Sequence, residues 1–438
     1  MVADQLPDFT KCTEVAALSC GGKVIFASDD FFAAAEGMLR DNEPIFIADK
    51  YTDYGKWMDG WETRRKRTVG HDWCIIRLTG PTSIKGFLID TAHFTGNYVP
   101  KISIQAALLT ANADSVAPSR KPDVIGRAPS NRDFDKMARL KSNDWKTIVE
   151  MTELKPGYDE TRYTYISNTE YTDKYTHLRL NLYPDGGIAR FRVYGDIDLD
   201  ISPDMSNTIL DMFAMQNGGR CLNYSNAHYG HPKNLNKPSR ALNMGDGWET
   251  ARRLDRPAII EMTEKDVLNV PGCEWAIFRL GTMSTIVSID IDTNHFKGNA
   301  PEHVTIEGTT RGGDFSTTFT DSDWTVILDK VKIQPHKLHC IKKELKNVGP
   351  FNCVRITMAP DGGISRVRIF GQAFIDKQNG DANKPADDVP VENVPVENVA
   401  INAGNSIEIP EKNTTENVES VETVTSDTNQ QHENSTSD

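Results

Sequence analysis

No window of the chain approaches 18 consecutive apolar residues, and Met1 to Cys12 lacks the basic-then-apolar order of a secretory leader. Neither a membrane span nor export is expected. Cysteine is sparse: the seven residues are odd in number, scattered, and never form a C-x-x-C pair. They fit reduced thiols in the cytoplasm rather than a disulfide framework or a zinc site. The end, Ser435-Thr436-Ser437-Asp438, is no Ser-Lys-Leu-type peroxisomal address, although an organelle stays open. The patterns G-x-S-x-G, G-x-x-x-x-G-K-S/T, H-E-x-x-H and G-x-G-x-x-G are all missing, so hydrolase-elbow, nucleotide and zincin readings have no support.

A basic excess is missing too. The net charge of -13 is concentrated in residues 376–438, where six Asp and eight Glu face three Lys, a net of -11. The body keeps only -2, with no overall basic field, and no nucleic-acid partner is expected. That tail has no Phe, Tyr or Trp and repeats Pro-Val-Glu-Asn-Val at Pro390 and Pro395. It has too little apolar surface to offset chain entropy and reads as disordered and acidic.

What the body does contain is itself, twice. Asp59-Gly60-Trp61-Glu62-Thr63 recurs 187 positions on as Asp246-Gly247-Trp248-Glu249-Thr250. Ile89-Asp90-Thr91-Ala92-His93-Phe94-Thr95-Gly96-Asn97 recurs at an offset of 202 as Ile291-Asp292-Thr293-Asn294-His295-Phe296-Lys297-Gly298-Asn299. Pro184-Asp185-Gly186-Gly187-Ile188, followed by Arg190 and Arg192, recurs at 176 as Pro360-Asp361-Gly362-Gly363-Ile364, followed by Arg366 and Arg368. Three motifs in one order mean a duplicated domain, with units at 14–198 and 205–374 and the tail at 376–438. The changing offsets place an insertion of fifteen near Leu254 to Pro271 in the second copy, and one of 26 near Asn112 to Lys136 in the first. Both are expected as surface loops.

Each unit reads mainly as strand. His177 to Leu182 alternates polar and apolar, Pro184 to Gly187 supplies a turn, and Ile188 to Gly195 alternates again, which predicts a β-hairpin. Further strands are predicted at Cys74–Leu78, Ile84–Ile89 and Lys101–Ala106, with counterparts at Ala276–Leu280, Ile286–Ile291 and Val304–Glu307. Short helices are predicted at Asp29–Leu39 and Ser206–Met215. Many strands with little helix make two tandem jelly-roll sandwiches the expected fold.

The repeated polar residues each admit two roles. Glu62 and Glu249 are either site carboxylates or paired structural ones. Asp90 with His93, and Asp292 with His295, stand where a strand breaks into a loop; they suit proton transfer or a divalent metal, or else cap the loop. Arg190 and Arg366 are either ion pairs or forks for a substrate carboxylate.

Taken together, Gly-Trp-Glu-Thr, Ile-Asp-Thr-x-His-Phe-x-Gly-Asn and Pro-Asp-Gly-Gly-Ile-x-Arg, each present twice across residues 14–374, resemble the allantoicase (allantoate amidinohydrolase) family. The resemblance implies two jelly-roll repeats similar to galactose-binding modules, a homo-oligomer, and cleavage of allantoate to ureidoglycolate and urea in purine breakdown. It implies catalytic roles for Glu62, Asp90, His93, Glu249, Asp292 and His295. Substrate binding falls to Asn97, Asn299, Arg190, Arg366 and the pair Arg65 and Arg252, since Arg64 is matched by Ala251. No cofactor is called for with certainty, and a divalent metal stays open. A tandem jelly roll that binds carbohydrate or protein without catalysis is the rival reading; the repeated Asp-x-x-His argues against it.

Overall fold

The computed structural model describes residues 6–375 apart from 111, 169–172, 200–206, 256, 258, 260, 263–267 and 312–318. The tail from Asp376 lies outside the described residues, as does most of the expected linker. The described residues belong to one compact unit.

The strands of the first repeat are β1 (Thr13–Glu14), β2 (Lys23–Ala27), β3 (Tyr51–Thr52), β4 (Gly55–Lys56), β5 (Trp61–Glu62), β6 (Asp72–Asp90), β7 (Lys101–Ala107), β8 (Lys146–Glu153), β9 (Tyr163–Ser167), β10 (Lys174–Tyr183), β11 (Gly187–Ile188) and β12 (Arg190–Ile197). The nineteen-residue β6 is the spine. Its first half lies between β2 and β10, with Leu182 opposite Asp72 and His177 opposite Arg77. Its second half lies between β9 and β12, with Tyr163 and Arg190 both opposite Asp90. The register with β10 skips between Arg77 and Thr82, where the strand leaves one set of partners for the other. The first set extends through β7 to β8, the second to β1. Their facing side chains, among them Trp61, Ile76, Ile84, Phe87, Ile104, Leu180 and Phe191, form one closed core.

The second repeat rebuilds the plan with β13 (Leu210–Asp211), β14 (Arg220–Tyr224), β15 (Trp248–Glu249), β16 (Glu261–Met262), β17 (Leu268–Asn269), β18 (Glu274–Asp292), β19 (His303–Thr309), β20 (Thr325–Lys332), β21 (Leu338–Ile341), β22 (Phe351–Ala359), β23 (Gly363–Ile364) and β24 (Arg366–Ala373). Here β18 is the spine, flanked by β14 and β22, then by β21 and β24. Its own core includes Trp248, Phe278, Ile289, Ile306 and Ile356. Ala17, Cys20 and Met215 pack across the two repeats. The architecture is therefore mainly β, two tandem jelly-roll sandwiches.

Five expectations change. The runs Cys74–Leu78 and Ile84–Ile89 are one strand, because Gly80 and Pro81 fall where it swaps partners rather than where it ends. The predicted hairpin does not form, since β10 and β12 flank opposite halves of β6. Alternation reveals which face a residue takes, not which strand it neighbours. Of Asp29–Leu39 only Ala35–Leu39 coils, as 3-10 helix, and at the second site Leu210–Asp211 is strand. The described α-helix, α1 (Asn131–Ala138), lies at the edge of the first-copy insertion expected as loop. Ser130 and Asp133 close its capping box, and Phe134 and Met137 pack against Phe26 and Trp73.

The pairings of β5 with β11 and of β15 with β23 depend on bare glycine. A Cβ on Gly187 would lie 2.1 Å from the Phe94 ring, and one on Gly363 2.0 Å from Phe296, both rings being fully buried. Gly187→Ala and Gly363→Ala are each expected to cost about 1–3 kcal/mol by overpacking. Denaturant unfolding checks this; an unchanged midpoint would mean that the rings do not rest on these glycines.

Candidate active site

The three repeated motifs meet at one place in each repeat. Trp61 is fully buried and donates Nε1–H to Asp29 O at 2.9 Å, which anchors β5. Side chains alternate along a strand, so the next residue, Glu62, faces away from that core. Its backbone pairs with Ala33 on one side and Gly187 on the other. Thr63 locks the join, its Oγ1 accepting from Gly186 N at 3.1 Å, and Gly186 has the positive φ of 132° that the turn requires. From the second motif, Asn97 accepts Gly187 N–H on its carbonyl at 2.8 Å and donates Nδ2–H to Glu62 Oε1 at 2.7 Å. A carboxylate held by an amide thus stands at the junction of all three motifs. Burial pushes the Glu62 carboxyl up to about 6, against the Asn97 hydrogen bond, which favours its charge.

The second repeat repeats this atom for atom. Trp248 Nε1–H reaches Asn226 O at 2.9 Å, Gly362 N–H reaches Thr250 Oγ1 at 3.2 Å, and Gly363 N–H reaches Asn299 O at 2.8 Å. Asn299 Nδ2–H donates to Glu249 Oε1 at 2.5 Å. Every member comes from its own repeat.

Arg65 and Arg252 lie three residues beyond each Glu, exposed, and without a hydrogen bond or ion pair among the described residues. Their neighbours are spoken for. Arg64 pairs with Asp29 at 2.6 Å, Lys66 with Asp72, and Arg253 with Asp255 and Glu274.

Asp90, Asp292, His93 and His295 serve the loop. Asp90 caps Ala92 N at 2.8 Å and is gripped by Arg162 at 2.5 Å; Asp292 caps Asn294 N at 2.9 Å and meets Arg240 at 3.3 Å. His93 and His295 both adopt left-handed backbone, φ 67° and 73°. Each donates Nε2–H to a carbonyl of the loop before motif one, Pro44 O at 3.3 Å and Ala241 O at 2.9 Å. Asp and His therefore have separate partners rather than forming a pair. Among the described residues no group of three or more His, Cys, Asp or Glu is placed to hold a metal.

Of the two roles the sequence leaves open for Arg190 and Arg366, the structure shows the ion pair. Arg190 is wholly enclosed and Arg366 is 3% exposed. Arg190 donates Nη2–H to Asp59 Oδ2 at 2.7 Å, Nε–H to Asn42 O at 2.8 Å, and Nη1–H to the carbonyls of Gly37, Asp59 and Ala189. Arg366 does the same with Asp246 Oδ2 at 2.7 Å and Ser239 O at 2.7 Å. Burial opposes the charge of Asp59, but the hydrogen bonds from Arg190 and Ile45 and the nearby Arg40 hold its carboxyl below the usual range. In the sequence Asp59 and Asp246 stand as the first letter of a repeated motif, with no partner to give them meaning.

The fold and these sites define a tandem jelly-roll protein with one amide-held carboxylate per repeat. The family model described as "Allantoicase repeat" matches residues 13–198 and 210–374. A probable allantoicase of Burkholderia mallei is 40% identical over 368 residues, 83% of this chain and 96% of that protein. One of Acinetobacter baumannii is 40% identical over 378 residues, 84% and 97%. The crystal structure of allantoicase from Saccharomyces cerevisiae superposes with a TM-score of 0.61 at 32% identity, covering 82% of this chain and 93% of that one. The chain belongs to the allantoicase family.

Breaking the enclosed ion pair by Arg190→Met strands Asp59 in the interior and is expected to cost about 3–5 kcal/mol. Arg65→Ala, on an exposed unpaired cation, should stay within about 0.5 kcal/mol of the parent. Denaturant unfolding of the two variants side by side checks the contrast.

Proposed function

We propose that this chain hydrolyses allantoate to ureidoglycolate and urea, with the Glu62–Asn97 and Glu249–Asn299 pairs as two separate sites. The observation that carries this reading is the duplicated carboxylate, partly withdrawn from water, held by an amide on one oxygen and leaving the other unshared among the described residues. Allantoate carries a carboxylate and two ureido groups on one carbon, so its cleavage needs a cation for the carboxylate and a proton for the departing nitrogen. Arg65 and Arg252 supply the cation. Glu62 in its protonated form gives its proton to one ureido nitrogen as the C–N bond breaks, while the lone pair of the other ureido nitrogen supports the electron-poor carbon; Glu249 holds the same place in the second repeat. Urea leaves at that point; water then adds to that carbon and returns a proton to the carboxylate, which gives ureidoglycolate and restores the acid. A carboxyl near 6 is matched to giving and taking a proton near neutral pH. Asn97 and Asn299 hold each carboxyl in place, and Asp90, His93, Asp292 and His295 position the loops.

The repeats are placed at 14–198 and 205–374, the acidic tail at 376–438, and the working form is a homo-oligomer. No described helix is long and apolar enough to cross a membrane, and all seven cysteines are unpaired thiols, in keeping with a reducing compartment such as the cytoplasm.

With one site per repeat, Glu62→Gln should keep the turnover of the second repeat and Glu249→Gln that of the first. The double variant should lose roughly 10²- to 10⁴-fold in urea release. Because burial raises the folded pKa of Glu62, its stability contribution is complete below about 4.5 and is lost as pH rises through about 6. Glu62→Gln should therefore melt no lower than the parent at pH 7.5, and its advantage should vanish by pH 5. A double variant that still turns over at the parent rate, or a parent that makes no urea, would remove this assignment.

A further inference from the structure

The repeated motifs hold eight glycines, and six of them are demanded by the protein itself. A Cβ would meet backbone at 2.3 Å on Gly60 and 2.9 Å on Gly247, and a buried ring on Gly187 and Gly363. Gly186 and Gly362 both have φ 132° and would press on the chain at Tyr98–Val99 and Asn299. Gly96 and Gly298 differ from all of these. Neither has positive φ, and a Cβ on either would find nothing within 4 Å. Backbone and packing alike would accept alanine there, and glycine costs stability through the freedom it gives the unfolded chain.

The position of these two glycines supplies the missing reason. Each directly precedes the asparagine whose side chain holds the site carboxylate and whose carbonyl receives the N–H of Gly187 or Gly363. Both are exposed, at the open edge of the site. A flat ureido group can approach a peptide most closely where no Cβ rises beside it. The same bare backbone stands beside the same Glu–Asn pair in both repeats, although Thr95 and Lys297 immediately before it differ.

We propose that Gly96 and Gly298 are substrate-contacting positions: a planar ureido group of the substrate packs on the backbone at each, beside Glu62–Asn97 and Glu249–Asn299, in the space a side chain would fill. This rests on the allantoate reading above and adds to it the face from which substrate enters. The step is one of binding, so obstruction appears mainly in KM.

The test is the double variant Gly96→Ala/Gly298→Ala, assayed for urea release from allantoate and for its thermal midpoint. A methyl group in a substrate's path is worth roughly 10- to 200-fold. The expected result is a fall in kcat/KM of about tenfold or more, carried mainly by KM, with a midpoint equal to the parent's or slightly higher. A kcat/KM within about twofold of an active parent overturns the proposal and leaves the allantoate reading intact. A midpoint lower by several degrees also overturns it, because the glycines would then be structural. A parent that releases no urea overturns the allantoate reading and this inference with it.

Discussion

A guanidinium with no access to water must have all its charge answered by protein, and Arg190 is answered by Asp59 and by carbonyls from three separate segments. That demand ties the site together. Asp59 opens the segment carrying Glu62, Ala189 continues from the Gly186–Gly187 turn, and Gly37, in the 3-10 turn, leads through Asn42 to Pro44, on which His93 rests. Arg366 imposes the same constraint on Asp246, Ser239 and the loop that His295 holds through Ala241. The Glu–Asn pair then needs little of its own energy to stay in place. Glu62 can sit partly desolvated, at a cost to stability near neutral pH, because its frame is over-determined.

The two copies keep this frame while changing charges in compensating sets. Asp29 and Arg64 pair at 2.6 Å in the first repeat, where the second has Asn226 and Ala251. The backbone contact survives in both, Arg64 N to Asp29 Oδ1 at 3.2 Å and Ala251 N to Asn226 Oδ1 at 3.1 Å. Asp90 is neutralised by Arg162, which also meets Glu43, whereas Asp292 draws on Arg240 at the position of Glu43. Around the sites the copies diverge further. Fourteen positions separate Ile45 from Asp59 but only four separate Leu242 from Asp246, although both amides bond the corresponding carboxylate. The extra chain forms the β3–β4 hairpin, and next to it the Phe46 ring lies 5.6 Å from that of His93.

Much of this was legible in the residues. Duplication, strand content and the identity of the polar set follow from three motifs and period-two alternation. Partners did not. The Arg190–Asp59 contact joins residues 131 positions apart, and nothing in either residue's type separates an enclosed ion pair from a substrate fork. Likewise β10 and β12 look like two arms of a hairpin until β6 is seen to change partners midway. The β3–β4 hairpin escaped because it lies just before the first repeated motif, where the two copies share few letters. Helix α1 carried its signal in Ser130 and Asp133, inside a stretch polar enough to read as loop.

The central claim is that each repeat builds a complete site from its own residues. The most direct measurement is a calorimetric titration of the catalytically silenced chain, Glu62→Gln with Glu249→Gln, against allantoate, counting ligands bound per chain. The account predicts two. A count of one, as a site shared between the repeats or a single functional copy would give, contradicts it.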